Sequence, residues 1–205
     1  YERTSVGVDG TDAPVTGLSI LDETEMLAQY GAAVQIREKS SYEAILPNFS
    51  VKLDINDDLV GRFAASQTLT RPTLESMSPV TVIGTTRQGG DLTSTSGNPE
   101  LDPFTSTNLD FSLEWYYAPA SYLSAGYFRK NVANFIVNTT EDKTFMLGNG
   151  NLLTDPSTGS NSGAADSQDA VAVFTNTLPN NGESAIVDGF ELALQHSFDS
   201  GFGVM

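Results

Sequence analysis

His196 is the only histidine in the chain and there is no cysteine, so the imidazole and thiolate sets that hold structural zinc cannot be assembled. Serine and aspartate are plentiful, but no nucleophile-elbow motif accompanies them, and no Ser–His–Asp site can be read. Asp54-Ile55-Asn56-Asp57-Asp58 has the acidic spacing of a calcium loop but lacks the glycine and the distal glutamate. A polar hairpin turn is the better reading. Asn48-Phe49-Ser50 and Asn138-Thr139-Thr140 match the N-glycosylation pattern, the first inside a strand, and are read as chance matches. Six charged residues share one setting: Lys52, Arg62, Asp110, Glu114, Lys130 and Glu191. All six sit on the polar parity of alternating segments, where they can pair across strands as a wall. No catalytic, cofactor-binding or metal-binding residue is expected, no cofactor is implied, and no ligand-binding residue is assigned. The chain does not read as an enzyme.

The elements that carry these residues alternate with a period of two. Leu109, Phe111, Leu113, Trp115 and Tyr117 interleave with Asn108, Asp110, Ser112, Glu114 and Tyr116, giving a strand one apolar and one polar face. A turn at 118–121 reverses the chain, and a second β-rich run continues to Val137 as a long antiparallel hairpin. The run from Tyr42 to Asn56 places Ile45, Phe49, Val51, Leu53 and Ile55 on one parity, and the run from Leu59 to Pro72 does the same with Leu59, Phe63, Ala65 and Leu69. Ala185–Phe198 follows with Phe190, Leu192, Leu194 and Phe198, and residues 1–8 read as a strand end. Within 9–35 the span from Leu21 to Ala33 suggests a short amphipathic helix. The segments Gly148-Asn149-Gly150-Asn151 and Ser157 to Ser162 are nearly low-complexity.

Ten Lys and Arg against 26 Asp and Glu give a formal net charge of −16, which disfavours nucleic acid and anionic lipid surfaces as partners. No apolar run approaches the roughly 20 residues of a spanning helix, so a membrane role can come only through a β-barrel. The connections support that route. They alternate long (9–35), short (56–58), long (73–106), short (118–121), long (138–182) and short (199–201). A meander with that order gathers tight turns at one end and loops of about 30–45 residues at the other, which compact soluble domains rarely tolerate and outer-membrane barrels carry routinely. Trp115, Tyr117, Tyr122 and Phe198 gather at the tight-turn end, as an interfacial girdle would. On this reading the apolar parity faces lipid, and Asp110, Ser112 and Glu114 line the lumen. The alternative is a secreted or surface β-sandwich that binds ligands or glycans, in which the same apolar faces pack against each other as two sheets.

Four ordered segments carry a family resemblance. Val60 to Pro72, ending in Thr70-Arg71-Pro72, resembles a strand of bacterial TonB-dependent outer-membrane receptors. Gly97-Asn98-Pro99-Glu100-Leu101-Asp102-Pro103 is similar to their Gly-Asn-Pro-x-Leu-x-Pro segment and is followed by Asn108-Leu109-Asp110 and Leu113-Glu114-Trp115-Tyr116. Tyr127-Phe128-Arg129-Lys130 with Asn134-Phe135-Ile136, and Val187 to Leu192, resemble the next strands. The resemblance implies an all-β, antiparallel up-and-down meander, part of a 22-stranded type of transmembrane β-barrel with an N-terminal plug. Residues 1–205 would be a partial barrel domain, with the plug, the N-terminus including the TonB box, and the C-terminal strands outside it. It implies a bacterial outer-membrane receptor for TonB-energised uptake of a scarce nutrient, such as siderophore-bound iron, cobalamin or oligosaccharide. The implied partners are outer-membrane lipid, the TonB complex through the N-terminal region, and a small nutrient ligand. Ligand capture in this family occurs at the long loops and plug apex, which makes Tyr30, Arg87, Phe104, Phe145 and Phe174 candidate contacts. A piece of such a sheet with two bare edges is not expected to fold alone.

Overall fold

A computed structural model describes residues 1–159 and 168–205, and none of these is helical. In chain order the strands are β1 (Glu2–Asp12), β2 (Val15–Ile20), β3 (Met26–Tyr30), β4 (Val34–Ala44), β5 (Asn48–Asp54), β6 (Leu59–Thr70) and β7 (Thr81–Thr86). They continue with β8 (Leu92–Ser96), β9 (Phe104–Ala118), β10 (Ser121–Ala133), β11 (Ile136–Lys143), β12 (Phe174–Asn181), β13 (Ala185–Ser197) and β14 (Gly203–Val204). Six of them form one sheet in the order β14-β13-β10-β9-β6-β5, with every pairing antiparallel. Each expected tight turn is present, and each joins neighbours in this sheet.

Register decides what the sheet shows to its surroundings. Val51, Phe63, Phe111, Tyr127 and Phe190 form one cross-strand row, and Leu53, Gly61, Leu113, Ala125 and Leu192 form the next. Leu59, Trp115, Leu123 and Leu194 follow toward the tight turns. Directly paired residues share a face, so these rows make one continuous apolar band. At its other edge, Phe49 and Leu109 share a row with Arg129 and Asp188. The intervening rows carry the polar groups: Lys52, Arg62, Ser112 and Glu191 in one, and Ser50 and Asp110 beside Ala64, Phe128 and Gly189 in another. No second sheet covers the band among the described residues. Phe190 and Leu192 remain 83% and 81% exposed. The β-sandwich alternative, which needs two apolar faces packed together, does not form.

The connections 9–35, 73–106 and 138–182 are not unstructured loops. β1 pairs with β4, β2 with β3, and β11, β12, β8 and β7 make a four-stranded sheet in that order. Its β8–β12 pairing is parallel, the one departure from the antiparallel meander among the described residues. The helix expected over 21–33 is absent. Met26 and Ala28, two residues apart, face the β2 residues Ile20 and Leu18, and the Asp22 carboxylate turns the chain by accepting the backbone N–H groups of Thr24 and Glu25. Burial at period two has overridden a helix-like spacing. Of the low-complexity segment, residues 160–162 lie outside the described residues.

These strands form a cap with the water-excluded core that the six-stranded sheet lacks. Val15, Leu18, Met26, Leu92, Leu153, Ala172 and Phe174 pack together, with Phe145 meeting Phe174 edge-on at a centroid distance of 5.0 Å. Val8, Met77 and Leu101 form a second, smaller cluster. Cap and sheet meet along a line of strand breaks. Pro47 interrupts β4–β5, Arg71-Pro72 ends β6, Asn134 at φ 60° kinks β10–β11, and Gly182 lies between β12 and β13. The β10–β11 and β12–β13 limbs nevertheless keep one register across the kink, from Tyr122↔Gln195 through to Lys143↔Phe174.

Candidate functional site: a polar wall beneath a clasped cap

The polar face of the sheet is a wall with few fixed charges. Arg62 on β6 reaches diagonally to Glu114 on β9, with Nε 2.9 Å from Oε1 and Nη2 3.3 Å from Oε2. Tyr116 donates its hydroxyl to the same carboxylate at 2.7 Å. This bidentate pair plus phenol is the strongest polar cluster on the wall. Lys52 pairs with Asp54 along its own strand at 2.8 Å. Lys130 lies 5.9 Å from the centroid of the Phe128 ring. The Phe128 ring in turn lies over Gly189, where a Cβ would come within 3.0 Å of it. Glycine at 189 is thus needed because an aromatic from the neighbouring strand occupies the space. Asp110 and Glu191 complete the lining of a hollow of about 400 Å³ with Lys52, Arg62, Ser112 and Phe128. Of the six wall residues expected from parity, four are engaged and two carboxylates point into this hollow without an ion pair among the described residues.

The rim between wall and cap is held by the segments that carry the sequence resemblance. Arg71 donates from Nε to the Tyr42 hydroxyl at 2.8 Å and from Nη2 to Glu2, tying the end of β6 to β1 and β4. Glu2 is held below the usual carboxylate range, first by the Thr4 hydroxyl and then by Arg71. Gly97 sits where a Cβ would lie 2.4 Å from the Ser78 carbonyl oxygen, so only glycine lets the 73–78 turn close on the start of this segment. Asn98 then serves both loops. Its backbone N–H donates to Ser76 at 2.8 Å, and its side-chain amide donates to the Pro179 carbonyl at 3.2 Å. Leu101 is 1% exposed beside Val8 and Met77. Asn181 closes the clasp: its Oδ1 accepts from Asp102 N–H at 2.9 Å, and its Nδ2 donates to the carbonyls of Asp102 and Asn134 at 2.9 and 3.0 Å.

Within the cap a polar network crosses the parallel β8–β12 pair. Asn176 is 0% exposed, accepts from the Ser94 hydroxyl at 2.9 Å, and donates to Ser96 Oγ at 3.0 Å and Glu141 at 3.2 Å. Each of its polar atoms is bonded, as a buried amide requires. Of the loop residues expected to meet ligand, Phe174 is fully buried and Phe145 packs on it, so both belong to the cap core instead. Tyr30 and Arg87 are exposed on either side of the β3–β7 gap, and Phe104 is half-buried at the start of β9. Sequence reading missed Asn176 and Asn181 as organising side chains, and carried Asn98 only as a member of the Gly97–Pro103 segment. Only the position of Asn181 before Gly182, at a strand break, signalled one of them.

Elsewhere the candidates resolve into structure. Asn56 Oδ1 accepts from Asp58 N–H at 2.9 Å and Asp54 is spent on Lys52, so the acidic pentapeptide is a hairpin turn. No metal-ligand cluster of three or more His, Cys, Asp or Glu occurs among the described residues. His196 lies on the apolar parity, stacked on Tyr117 with Nδ1 2.9 Å from its hydroxyl and with Phe198 edge-on at 4.4 Å. Trp115 joins this group through Tyr117 at 5.3 Å. Tyr122 does not. It pairs with Tyr116 on the polar face at 5.8 Å, because its even position puts it on the parity of Ser124 and Gly126, opposite Gln195.

Comparison with solved structures agrees with this architecture. The siderophore receptor PirA of Acinetobacter baumannii aligns at a TM-score of 0.54 and 18% identity, over 82% of this chain and 23% of the receptor. A variant of the ferric enterobactin receptor PfeA of Pseudomonas aeruginosa aligns at 0.54 and 16%, over 80% of this chain and 22% of that one. The chain therefore spans less than a quarter of the length of those receptors. No curated protein matches it by sequence. A family model described as TonB dependent receptor-like, beta-barrel, matches residues 3–204. The chain belongs to the TonB-dependent receptor β-barrel family.

Proposed function

We propose that residues 1–205 form one stretch of wall and mouth in a bacterial outer-membrane receptor that imports a scarce nutrient with energy from the TonB complex. Members of the family are outer-membrane receptors and transporters rather than enzymes. One observation supports the placement most directly: Val51, Leu53, Phe63, Phe111, Trp115, Leu123, Phe190, Leu192 and Leu194 are all exposed and lie in a single band on one face of one sheet, with Lys52, Arg62, Asp110, Glu114 and Glu191 on the other. Such a band is costly in water and suited to hydrocarbon. From the Asp188 row to Phe198 the strand rises about 34 Å. At a tilt of about 40° this spans about 26 Å of membrane normal, the height of an outer-membrane apolar band. The Tyr117–His196–Phe198 group then sits at the lower interface and the cap stands in the outer medium.

The similar receptors are named for siderophores and enterobactin, which makes a ferric chelate the first ligand to test; the whole receptor's plug and TonB-contacting segment belong to regions beyond this chain. The full-length gene, expressed in an outer-membrane host, is expected to fractionate with the outer membrane and to support TonB-dependent accumulation of an iron-loaded chelate. Recovery in the soluble fraction would overturn the membrane placement. Outer-membrane recovery without uptake of any ferric chelate would overturn the ligand alone.

A further inference from the structure

Two Asn-Gly pairs occur in the chain, Asn149-Gly150 and Asn181-Gly182, and the structure treats them in opposite ways. Asn181 is half-buried at the rim clasp with both side-chain polar atoms bonded, and Gly182 N–H is held by the Phe135 carbonyl at 2.6 Å. A Cβ on Gly182 would lie 3.1 Å from both Phe135 and Val137, so this backbone has no room to rearrange. Asn149 stands at the tip of an exposed hairpin. Leu147 N–H bonds the Asn151 carbonyl at 2.8 Å, Gly150 N–H bonds the Leu147 carbonyl at 2.9 Å, and Gly150 takes φ +84°. That is a type I turn closed by a glycine bulge. Residues 148–151 are all exposed, and Cβ positions built on Gly148 and Gly150 meet nothing within 4 Å.

We propose that Asn149 is a site of spontaneous covalent modification, converting to aspartate and isoaspartate, and that Asn181 is protected. Fraying of one exposed turn frees the Gly150 amide, and an unhindered glycine lets it approach Asn149 Cγ. The Gly150 nitrogen loses its proton and bonds Cγ, the Cγ–Nδ2 bond breaks, and ammonia leaves with that proton, giving a succinimide. Water opens the ring at Cγ to yield aspartate, or at the Asn149 main-chain carbonyl to yield isoaspartate. No oxidant or cofactor is required. Asn151 N–H already donates to Asn149 Oδ1 at 3.0 Å, placing a donor where negative charge builds on that oxygen during the attack. Conversion adds a carboxylate to the loop tip, and the isoaspartate form inserts an extra methylene into the backbone beside the Met146–Leu152 bridge.

Full-length receptor in detergent, incubated in mildly alkaline buffer and sampled over time, is digested, and peptides holding Asn149 and Asn181 are quantified by mass spectrometry. The Asn149→Asp variant serves as a chromatographic standard. The amide-to-acid mass gain is expected at Asn149 at least about tenfold faster than at Asn181, because opening the clasp requires breaking three side-chain hydrogen bonds and the Gly182–Phe135 backbone bond together. Equal rates would overturn the proposal. So would an unchanged Asn149 over a period in which the free peptide 145–152 converts, or a mass gain in that peptide that persists in Asn149→Gln.

Discussion

A single arginine walked down the outward face of β13 measures what surrounds that face. Phe190, Leu192, Leu194 and His196 alternate along this strand, and Asp188 marks the edge of the apolar band. Leu192 lies four residues from that edge, about 14 Å along the strand and about 10 Å along the membrane normal at a tilt near 40°. It is therefore close to the middle of a band about 26 Å high. Arginine there should lower the unfolding free energy of the full-length receptor by about 2–4 kcal/mol, falling toward about 0–1 kcal/mol at positions 188 and 198. Arginine at Ala193, on the polar face, should cost well under half the Leu192 value. The assay is denaturant-induced unfolding of the refolded receptor in lipid vesicles, followed by tryptophan fluorescence, with heat-modified gel mobility as a check on folding. A flat profile, with Leu192→Arg changing stability by no more than about 0.5 kcal/mol, is what a water-exposed surface gives and would refute the reasoning.

Other consequences can be checked separately. Phe174→Ala should destabilise the cap by about 3–5 kcal/mol, exposing β8 and β12 amides to hydrogen exchange while those of β9 and β10 stay protected. Ala120 occupies φ 52° in the β9–β10 turn, so Ala120→Gly should raise stability by up to about 1 kcal/mol in the same unfolding titration. The Arg37 side chain bonds Asp9 and holds its carboxyl below the ordinary range, so the stabilisation is complete above about pH 4 and is lost as pH falls through the lowered value. Limited proteolysis of the β1–β4 strand pair should accordingly increase on acidification in the native protein, with a smaller pH response in Asp9→Asn.

The wall was legible in the sequence because one physical demand, a face toward each medium, imprints a period of two that no other interaction disturbs. Register follows from it: once Phe63, Phe111 and Phe190 must share a face, the strand pairing is nearly set. The cap was not legible. Its strands are short, its core residues come from four separated segments, and the Asn176 network joins β8 to β12 across some 80 residues of sequence. Phe145 and Phe174 were expected as ligand contacts because the family resemblance places capture at the long loops that carry them, although each is the apolar neighbour the other needs. The rim was half legible. Gly97, Asn98 and Leu101 were singled out as a motif, but only the close approach of Ser78 and the bonds to Ser76 and Pro179 explain why those residue types are required.

The unbroken register from Tyr122↔Gln195 to Lys143↔Phe174 has a mechanical consequence. A cap joined to its wall through slipped or bulged strands could slide along the strand direction in two-residue steps. Here any sliding would break the ladder along its whole length at once, so shear between cap and wall is forbidden. What the kink at Asn134 and the glycine at 182 leave open is bending, about an axis fixed by the Asn181 clasp. The hairpin is a stiff lever with a single pivot, and a force applied at the Phe174 core reaches the wall as a tilt.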